Sequence, residues 1–227
     1  MANKKKTRKE FLKGPDEFIT FSGKIVSFFT AHLRQLQYIG VGVGVIIIAY
    51  IAIYIYMGSV NKKGQNAYNE AYYFLINNLQ KDEDYKNLPK SEELFKKVIE
   101  NYGLAKASRL ALPQIAYLKF TDKKYDEAIE YYQKFLTKIS GNKPYESLTS
   151  FALASCYEAK GDLAKAIEIL NPLMEANNNP FKEQVMFSLA RLYRLDNKLE
   201  KTEEILKKFV IEFKDSPFLP MAKAGLS

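Results

Sequence analysis

Hydrophobic positions fall into three regimes along the chain. From 18 to 36 they recur at helical spacing: Phe18, Phe21, Ile25, Phe28 or Phe29, His32 or Leu33, and Leu36. From Gln35 to Asn61 there is no charged residue. Beyond Lys62 helical periodicity returns and persists almost to the end, with few strand-like alternations. The pattern predicts an all-α protein. A basic tail over 1–17 precedes an amphipathic helix over 18–36, one transmembrane helix over 37–60 and a helical body over 61–227.

The uncharged run has the length of a membrane span. Tyr38–Met57 is twenty residues, roughly 30 Å as a helix, which matches the hydrocarbon core of a bilayer. It holds ten Ile/Val residues, which favour insertion by roughly 3–6 kcal/mol before glycine and tyrosine offsets. Tyr38, Tyr54 and Tyr56 sit near its ends, where aromatic rings favour the headgroup boundary. The alternating Gly40, Gly42 and Gly44 are not a dinucleotide-binding fingerprint. The third glycine comes one residue early, and no acidic residue follows about twenty positions on. Gly40 and Gly44 do make G-x-x-x-G, which lets two helices approach closely. They are candidate transmembrane packing residues, for a partner helix or a second copy. The alternative is a glycine-tolerant span with no partner.

Before the span, Pro15, Asp16 and Glu17 suit the first turn of a helix. The phenylalanine-rich stretch that follows is read as a helix lying in the cytoplasmic interface. The alternative is that it merely starts the transmembrane helix. Residues 1–12 are expected to be disordered, with lysines available to anionic lipid.

Charge changes the picture by its position. The net charge is +8, and residues 1–61 carry eight Lys/Arg against three Asp/Glu, while 62–227 carry 26 against 23. A basic head on a nearly balanced body points to a membrane face rather than to nucleic acid. After the span come Lys62 and Lys63, then no further basic residue until Lys81. The positive-inside rule therefore predicts a cytoplasmic N-terminus and an extracytoplasmic body. No small-x-small cleavage site follows the run, so it reads as an uncleaved signal anchor.

Candidate chemistry is sparse. Cys156 and His32 are single, which excludes an intramolecular disulfide, a His-rich metal site and an imidazole-dependent triad in the body. Acidic pairs such as Asp126-Glu127 and Glu203-Glu204 fall on lysine-rich helices and read as solvated faces. The expectation is a non-enzymatic protein without metal or cofactor.

The body repeats itself. "SFALASCYEAKGDLAKAIEIL" from Ser150 aligns with "MFSLARLYRLDNKLEKTEEIL" from Met186, each carrying Leu-Ala-x-x-Tyr, a short polar turn and a second helix. "IAYLKFTDKKYDEAIEYYQKFL" follows the same template through Ile115, Ala116, Tyr125 and Ala128, but has Lys119 where the first-helix tyrosine should stand. Second-helix apolar positions Phe95, Tyr132, Leu170 and Leu206 are spaced by 37, 38 and 36 residues. Thr202 replaces the small alanine of the last repeat. Asn179-Pro180 and Ser216-Pro217 read as N-cap and first-turn pairs. Residues 64–102 form an irregular first unit with "QKDEDYKNLPKS" as an inserted loop, and its first helix can continue directly from the span. The tail from Ser216 reads as a final helix covering the end of the stack.

These segments resemble the tetratricopeptide repeat (TPR) family, well over about 90–215 and weakly over 64–90. The resemblance implies a TPR-like α-solenoid of about three to four helix-turn-helix repeats whose first helices line a binding face. By motif position that face includes Tyr117, Phe120, Phe151, Phe187, Arg191 and Arg194, a candidate groove for extended or partly unfolded peptide. The alternative is that Phe151 and Phe187 pack against neighbouring helices. The Lys/Asn carboxylate clamp of chaperone-tail-binding TPR proteins is missing. Its positions hold Pro113, Phe151 and Phe187, then Tyr117, Ser155 and Arg191.

The order of head, aromatic helix, span and repeats, with "PDEF" before the helix, resembles the YfgM-type family of bacterial inner-membrane TPR proteins. That resemblance implies an accessory subunit of the SecYEG translocon, in the inner membrane with its body in the periplasm. Its implied partners are the translocon, a periplasmic chaperone and secreted clients. The alternative reading is a cell-envelope scaffold for division or outer-membrane assembly.

Overall fold

The computed structural model describes residues 17–79, 87–176 and 179–226, with side chains from Gly23 onward. The expected disorder of 1–12, the first-turn residues Pro15 and Asp16, and most of the inserted loop lie outside them. Among the described residues every element is helical: α1 (Glu17–Ala31), α2 (Leu33–Leu79), α3 (Leu88–Asn101), α4 (Lys106–Thr121), α5 (Tyr125–Lys138), α6 (Lys143–Ala159), α7 (Leu163–Glu175), α8 (Lys182–Leu195), α9 (Leu199–Glu212) and α10 (Leu219–Ala224). The chain divides into two compact units, Met1–Tyr56 and Met57–Ser227.

The first unit holds α1 and the apolar part of α2. In α1, Ile25, Val26, Phe28 and Phe29 are exposed, and Phe28 stacks on His32 at 4.6 Å between ring centroids. The break between the helices is a single turn residue, His32, whose Nδ1 lies 3.0 Å from the Phe28 carbonyl. An 18-residue window of α2 has a mean hydropathy of 2.4, and none of it is buried. By length and composition this helix can cross a membrane.

The second unit starts where the apolar run ends. Its part of α2 becomes the first helix of a repeat, burying Gly64, Ala71 and Leu75. Ala71 and Leu75 share one core cluster with Leu88, Phe95 and Val98 of α3 and Ala111, Ile115 and Leu118 of α4. The pairs α4/α5, α6/α7 and α8/α9 follow, each packed on the next, and α10 closes the series against α9. The stack works because small residues sit where helices cross. Ala116, Ala154 and Ala190 on the first helices and Ala128 and Ala166 on the second are at most 4% exposed. Phe95, Tyr132, Leu170 and Leu206, one per second helix, fill the spaces between them.

Three first helices end in the same way. Lys124, Asp162 and Lys198 donate their backbone N–H to the carbonyls of Lys119, Tyr157 and Tyr193, five residues back, at 2.9, 2.9 and 2.8 Å. This closure needs a left-handed residue just before the donor. Lys123, Gly161 and Asn197 supply it, with φ of 59°, 83° and 57°. One turn geometry thus serves three different residues.

Departures from the repeat template are compensated locally. Thr202 is buried, and its hydroxyl lies 3.3 Å from the carbonyls of Ala190 and Lys198. Lys119 is 7% exposed, yet its ammonium meets Glu92 of α3 at 2.9 Å and Glu127 of α5 at 2.7 Å. Burial pulls the Lys119 pKa down, but the two carboxylates outweigh it and leave the group above its ordinary value. Burial likewise raises Glu92, and Lys96 and Lys119 reverse that and hold it below the usual carboxylate range.

The two Asn-Pro and Ser-Pro signals need correction. Helix α8 starts at Lys182 after Phe181, and α10 at Leu219 after Phe218. Asn179 Oδ1 accepts from the Phe181 N–H at 3.0 Å, and Ser216 Oγ from the Phe218 N–H at 3.1 Å. Both side chains close a turn ahead of the helix instead of capping it, because each proline adds a residue of non-helical lead-in. Asn179 also donates to the Leu173 carbonyl at 2.8 Å, so it joins the end of α7 to the start of α8.

Candidate functional site

The six residues assigned to a binding face by motif position separate into two places. Tyr117 stands in one open cleft, 41% exposed, apart from the other five. Phe120 packs beside the Ala116–Tyr132 core and meets the Tyr125 ring at 5.5 Å. Phe151 packs against the C-terminal core. Phe187 is covered by Phe209 and Phe218, with centroids at 4.7 and 5.4 Å. Arg191 makes a two-pronged ion pair with Glu158, its Nη2 at 2.7 Å from Oε2, and so ties α8 to α6. Arg194 donates to the Gly225 carbonyl at 2.9 Å, holding the end of the tail.

Phe187, Arg191 and Arg194 do share a cleft of about 310 Å³, but Met221 and Gly225 of the tail form part of its wall. Near Gly225 the fit is close: a Cβ there would lie 2.8 Å from Leu206 Cδ1. At this end of the series the protein's own tail occupies space beside the first-helix face.

A second cleft, of about 510 Å³, lies between the first helices of three successive repeats. Tyr68 and Tyr72 come from α2, Leu110, Pro113, Gln114 and Tyr117 from α4, and Tyr145, Leu148, Thr149 and Ala152 from α6. Tyr132 and Phe135 of α5 form the floor, at 7% and 2% exposure. Helical spacing explains the grouping: 110, 113 and 117, or 145, 148 and 152, fall on one face of a helix. The Tyr68 and Tyr72 rings stack at 6.1 Å with 11° between planes. Gln114 Nε2 donates to the Tyr68 hydroxyl at 3.3 Å. No charged side chain lines this cleft among the described residues. Burial pushes the Tyr68 and Tyr132 phenols up, so both stay neutral.

The cleft is therefore a largely aromatic surface with hydroxyl and amide groups at intervals. It offers stacking and apolar contact along an extended chain, with hydrogen bonds to peptide groups. Leu110, Tyr68, Tyr72, Tyr145 and Leu148 were not singled out by motif position. The usable signal was i, i+4 spacing of Tyr68 and Tyr72, in a stretch where the repeat template is poorest.

Three of the four acids in the two acidic pairs have ion-pair partners. Asp126 pairs with Lys160, Glu127 with Lys119 at 2.7 Å, and Glu203 with Lys207 at 2.8 Å. Cys156 is fully buried, and burial pushes its thiol up to about 11.

Residues 119–185 match the tetratricopeptide repeat family. No curated protein matches the chain. Among solved structures, the nearly identical TPR-like repeats of a Podosopora anserina protein described as a kinesin light chain are similar at a TM-score of 0.55 and 16% identity. That similarity covers 73% of this chain and 84% of the other. A tetratricopeptide repeat protein of Parabacteroides merdae is similar at a TM-score of 0.56 and 19% identity, covering 71% of this chain and 59% of that one. Repeats of this kind are generally non-catalytic scaffolds for contacts between proteins. The chain combines one long apolar helix near its N-terminus with a TPR-like α-solenoid, and its segment 119–185 carries the tetratricopeptide repeat signature.

Proposed function

We propose that this protein is a membrane-anchored scaffold that takes up extended apolar segments of other proteins, as an accessory subunit of the Sec translocon that assists handover to periplasmic chaperones. The observation that carries the reading is the uncharged, tyrosine-lined cleft on first helices of which the first, α2, also carries the apolar run. A secreted chain emerging unfolded presents extended backbone and apolar side chains, which suit such a surface. Eight Lys/Arg before the span support a cytoplasmic N-terminus with residues 61–227 in the periplasm. Gly40 and Gly44, with nothing within 4 Å of a Cβ built on either, leave room for a helix of the channel.

Site-specific photocrosslinkers at Tyr117 and Leu148 in the cleft, and at Gly40 and Gly44 in the span, test the reading in cells. Cleft probes should capture a secreted chain or a periplasmic chaperone, and span probes a translocon subunit. A normally inserted protein that captures none of them would exclude this role. A reporter active only outside the cytoplasm, fused after Ser227, should be active, and activity from a cytoplasmic reporter instead would reverse the topology.

A further inference from the structure

The tyrosine-lined cleft carries more hydrogen-bond donors than the protein itself satisfies. Tyr72, Tyr117 and Tyr145 are exposed along it, and their hydroxyls have no hydrogen-bond partner among the described residues. Tyr132, on the floor, is the more telling residue. It is 7% exposed, and its hydroxyl too has no hydrogen-bond partner among the described residues. A buried hydroxyl left unpaired is costly, and a ligand acceptor would relieve that cost. Burial pushes the Tyr132 phenol up, so it keeps the proton it can donate.

Acceptors on the same surface are scarcer. Apart from the phenol oxygens, the side-chain acceptors are Gln114 Oε1 and the Thr149 hydroxyl, whose proton goes to the Tyr145 carbonyl at 2.7 Å. One phenol oxygen, that of Tyr68, already accepts from Gln114 Nε2. The lining elements are helices, which spend their main-chain carbonyls on themselves, except that Pro113 has no N–H to return to Arg109. No sheet edge is available among the described residues. An extended chain of ordinary residues laid on these rings would therefore bury N–H groups with little to receive them.

A proline has no N–H to strand, and its carbonyl remains an acceptor. The polyproline II helix has no internal hydrogen bonds, so its carbonyls are free for the phenols, and its stiffness lowers the entropy lost on binding. Flat rings suit pyrrolidine faces, and Tyr68 and Tyr72 present two that are 11° from parallel. Charge agrees. No charged side chain lines the cleft among the described residues, so it would strip water from a charged segment without pairing it, and it matches an uncharged one.

We infer that this cleft selects uncharged, proline-rich segments in the polyproline II conformation, with their carbonyls accepting from Tyr132 and from the tyrosines of the rim. The inference rests on the cleft being a site for extended segments of other proteins. It does not depend on the translocon role.

The full chain in phospholipid nanodiscs, with empty discs as the blank, is titrated into two fluorescent, end-capped, uncharged nonapeptides. One consists of proline with leucine at every third position. The other has alanine in place of each proline. Anisotropy should show the proline peptide binding at least about tenfold more tightly. Tyr132→Phe removes only the hydroxyl. It should weaken the proline peptide about threefold to tenfold while leaving the melting temperature unchanged or higher. Equal affinity for the two peptides would overturn the inference and leave general uptake of extended segments standing. A Tyr132→Phe protein that binds the proline peptide as tightly as the parent would overturn it too. Binding of neither peptide would overturn it together with the reading of the cleft as a peptide site, in favour of a second copy if the protein is dimeric.

Discussion

Lys119 Nζ stands 2.9 Å from Glu92 Oε1 across the boundary between two repeats, at a position where the next two repeats carry tyrosine. Glu92 has a second cation, Lys96 at 2.7 Å, but that side chain is largely exposed. Removing Lys119 leaves the largely buried Glu92 carboxylate without its buried cation, while Glu127 stays exposed to water. Lys119→Ala is expected to destabilise the body by about 1–3 kcal/mol in denaturant unfolding. The pH dependence has two limits. Glu92 is depressed, so its contribution is present above the ordinary carboxylate range and is lost as pH falls through its lowered value. Lys119 is raised, so its contribution is full below the ordinary lysine range and is lost as pH rises through its raised value. Glu92→Gln should flatten the acid side of the stability profile. An unchanged acid slope would show that the pair is not energetically coupled.

Gly64 is needed for the joint between α2 and the α3–α4 loop. Its missing side chain admits Ala105 and Tyr102, which lie 2.5 and 3.1 Å from where a Cβ would be. Gly64→Ala should lower stability by about 1–3 kcal/mol through overpacking. Gly58→Ala, with nothing within 4 Å, should be neutral or slightly stabilising. Thermal unfolding of the two variants separates steric cost from helix propensity.

Lys123 is a lysine in a left-handed position that a glycine fills one repeat later. Lys123→Gly is expected to stabilise the body, by up to about 1 kcal/mol, because the side chain no longer opposes the turn. A loss of stability on this change would mean that the Lys123 side chain makes a compensating contact.

Cys156 should be inert in the folded protein. A thiol pushed up to about 11 is about 0.1% thiolate at pH 8, and its burial blocks reagents as well. Modification by a thiol reagent should be at least about a hundredfold slower than in the unfolded chain. Rapid labelling under native conditions would show that α6 opens locally.

Tyr117 separates binding from folding. It is exposed, so Tyr117→Ala should leave the melting temperature almost unchanged. The same change should weaken uptake of an unfolded apolar peptide about tenfold, as truncation of an aromatic anchor does. Phe187→Ala should do the reverse, because that ring is packed by Phe209 and Phe218.

The helical repeat and its small crossing residues were legible because periodicity and volume act within a single helix pair. Ala116, Ala154 and Ala190 all lie where the template put them. The side chains of the first-helix face were less legible. Motif position says which way a residue points, but not which other segment covers it. Phe187 points to the first-helix face and is covered by a tail some thirty residues later. Tyr68 and Tyr72 were hidden for the opposite reason. They stand in a helix that lacks the Leu-Ala-x-x-Tyr signature and is separated from α3 by an insertion. Lys119 looked like a defect in the repeat, and only its two carboxylates in space show it as a link.

The body's share of α2 supplies Ala71 and Leu75 to the core and Tyr68 and Tyr72 to the cleft. Proteolytic shedding would therefore have a sharply position-dependent result. A cut between Met57 and Val60 would release the repeat body with its aromatic wall intact. A cut after Leu75, about four to five turns later, would leave the remaining repeats without that wall and with an open core.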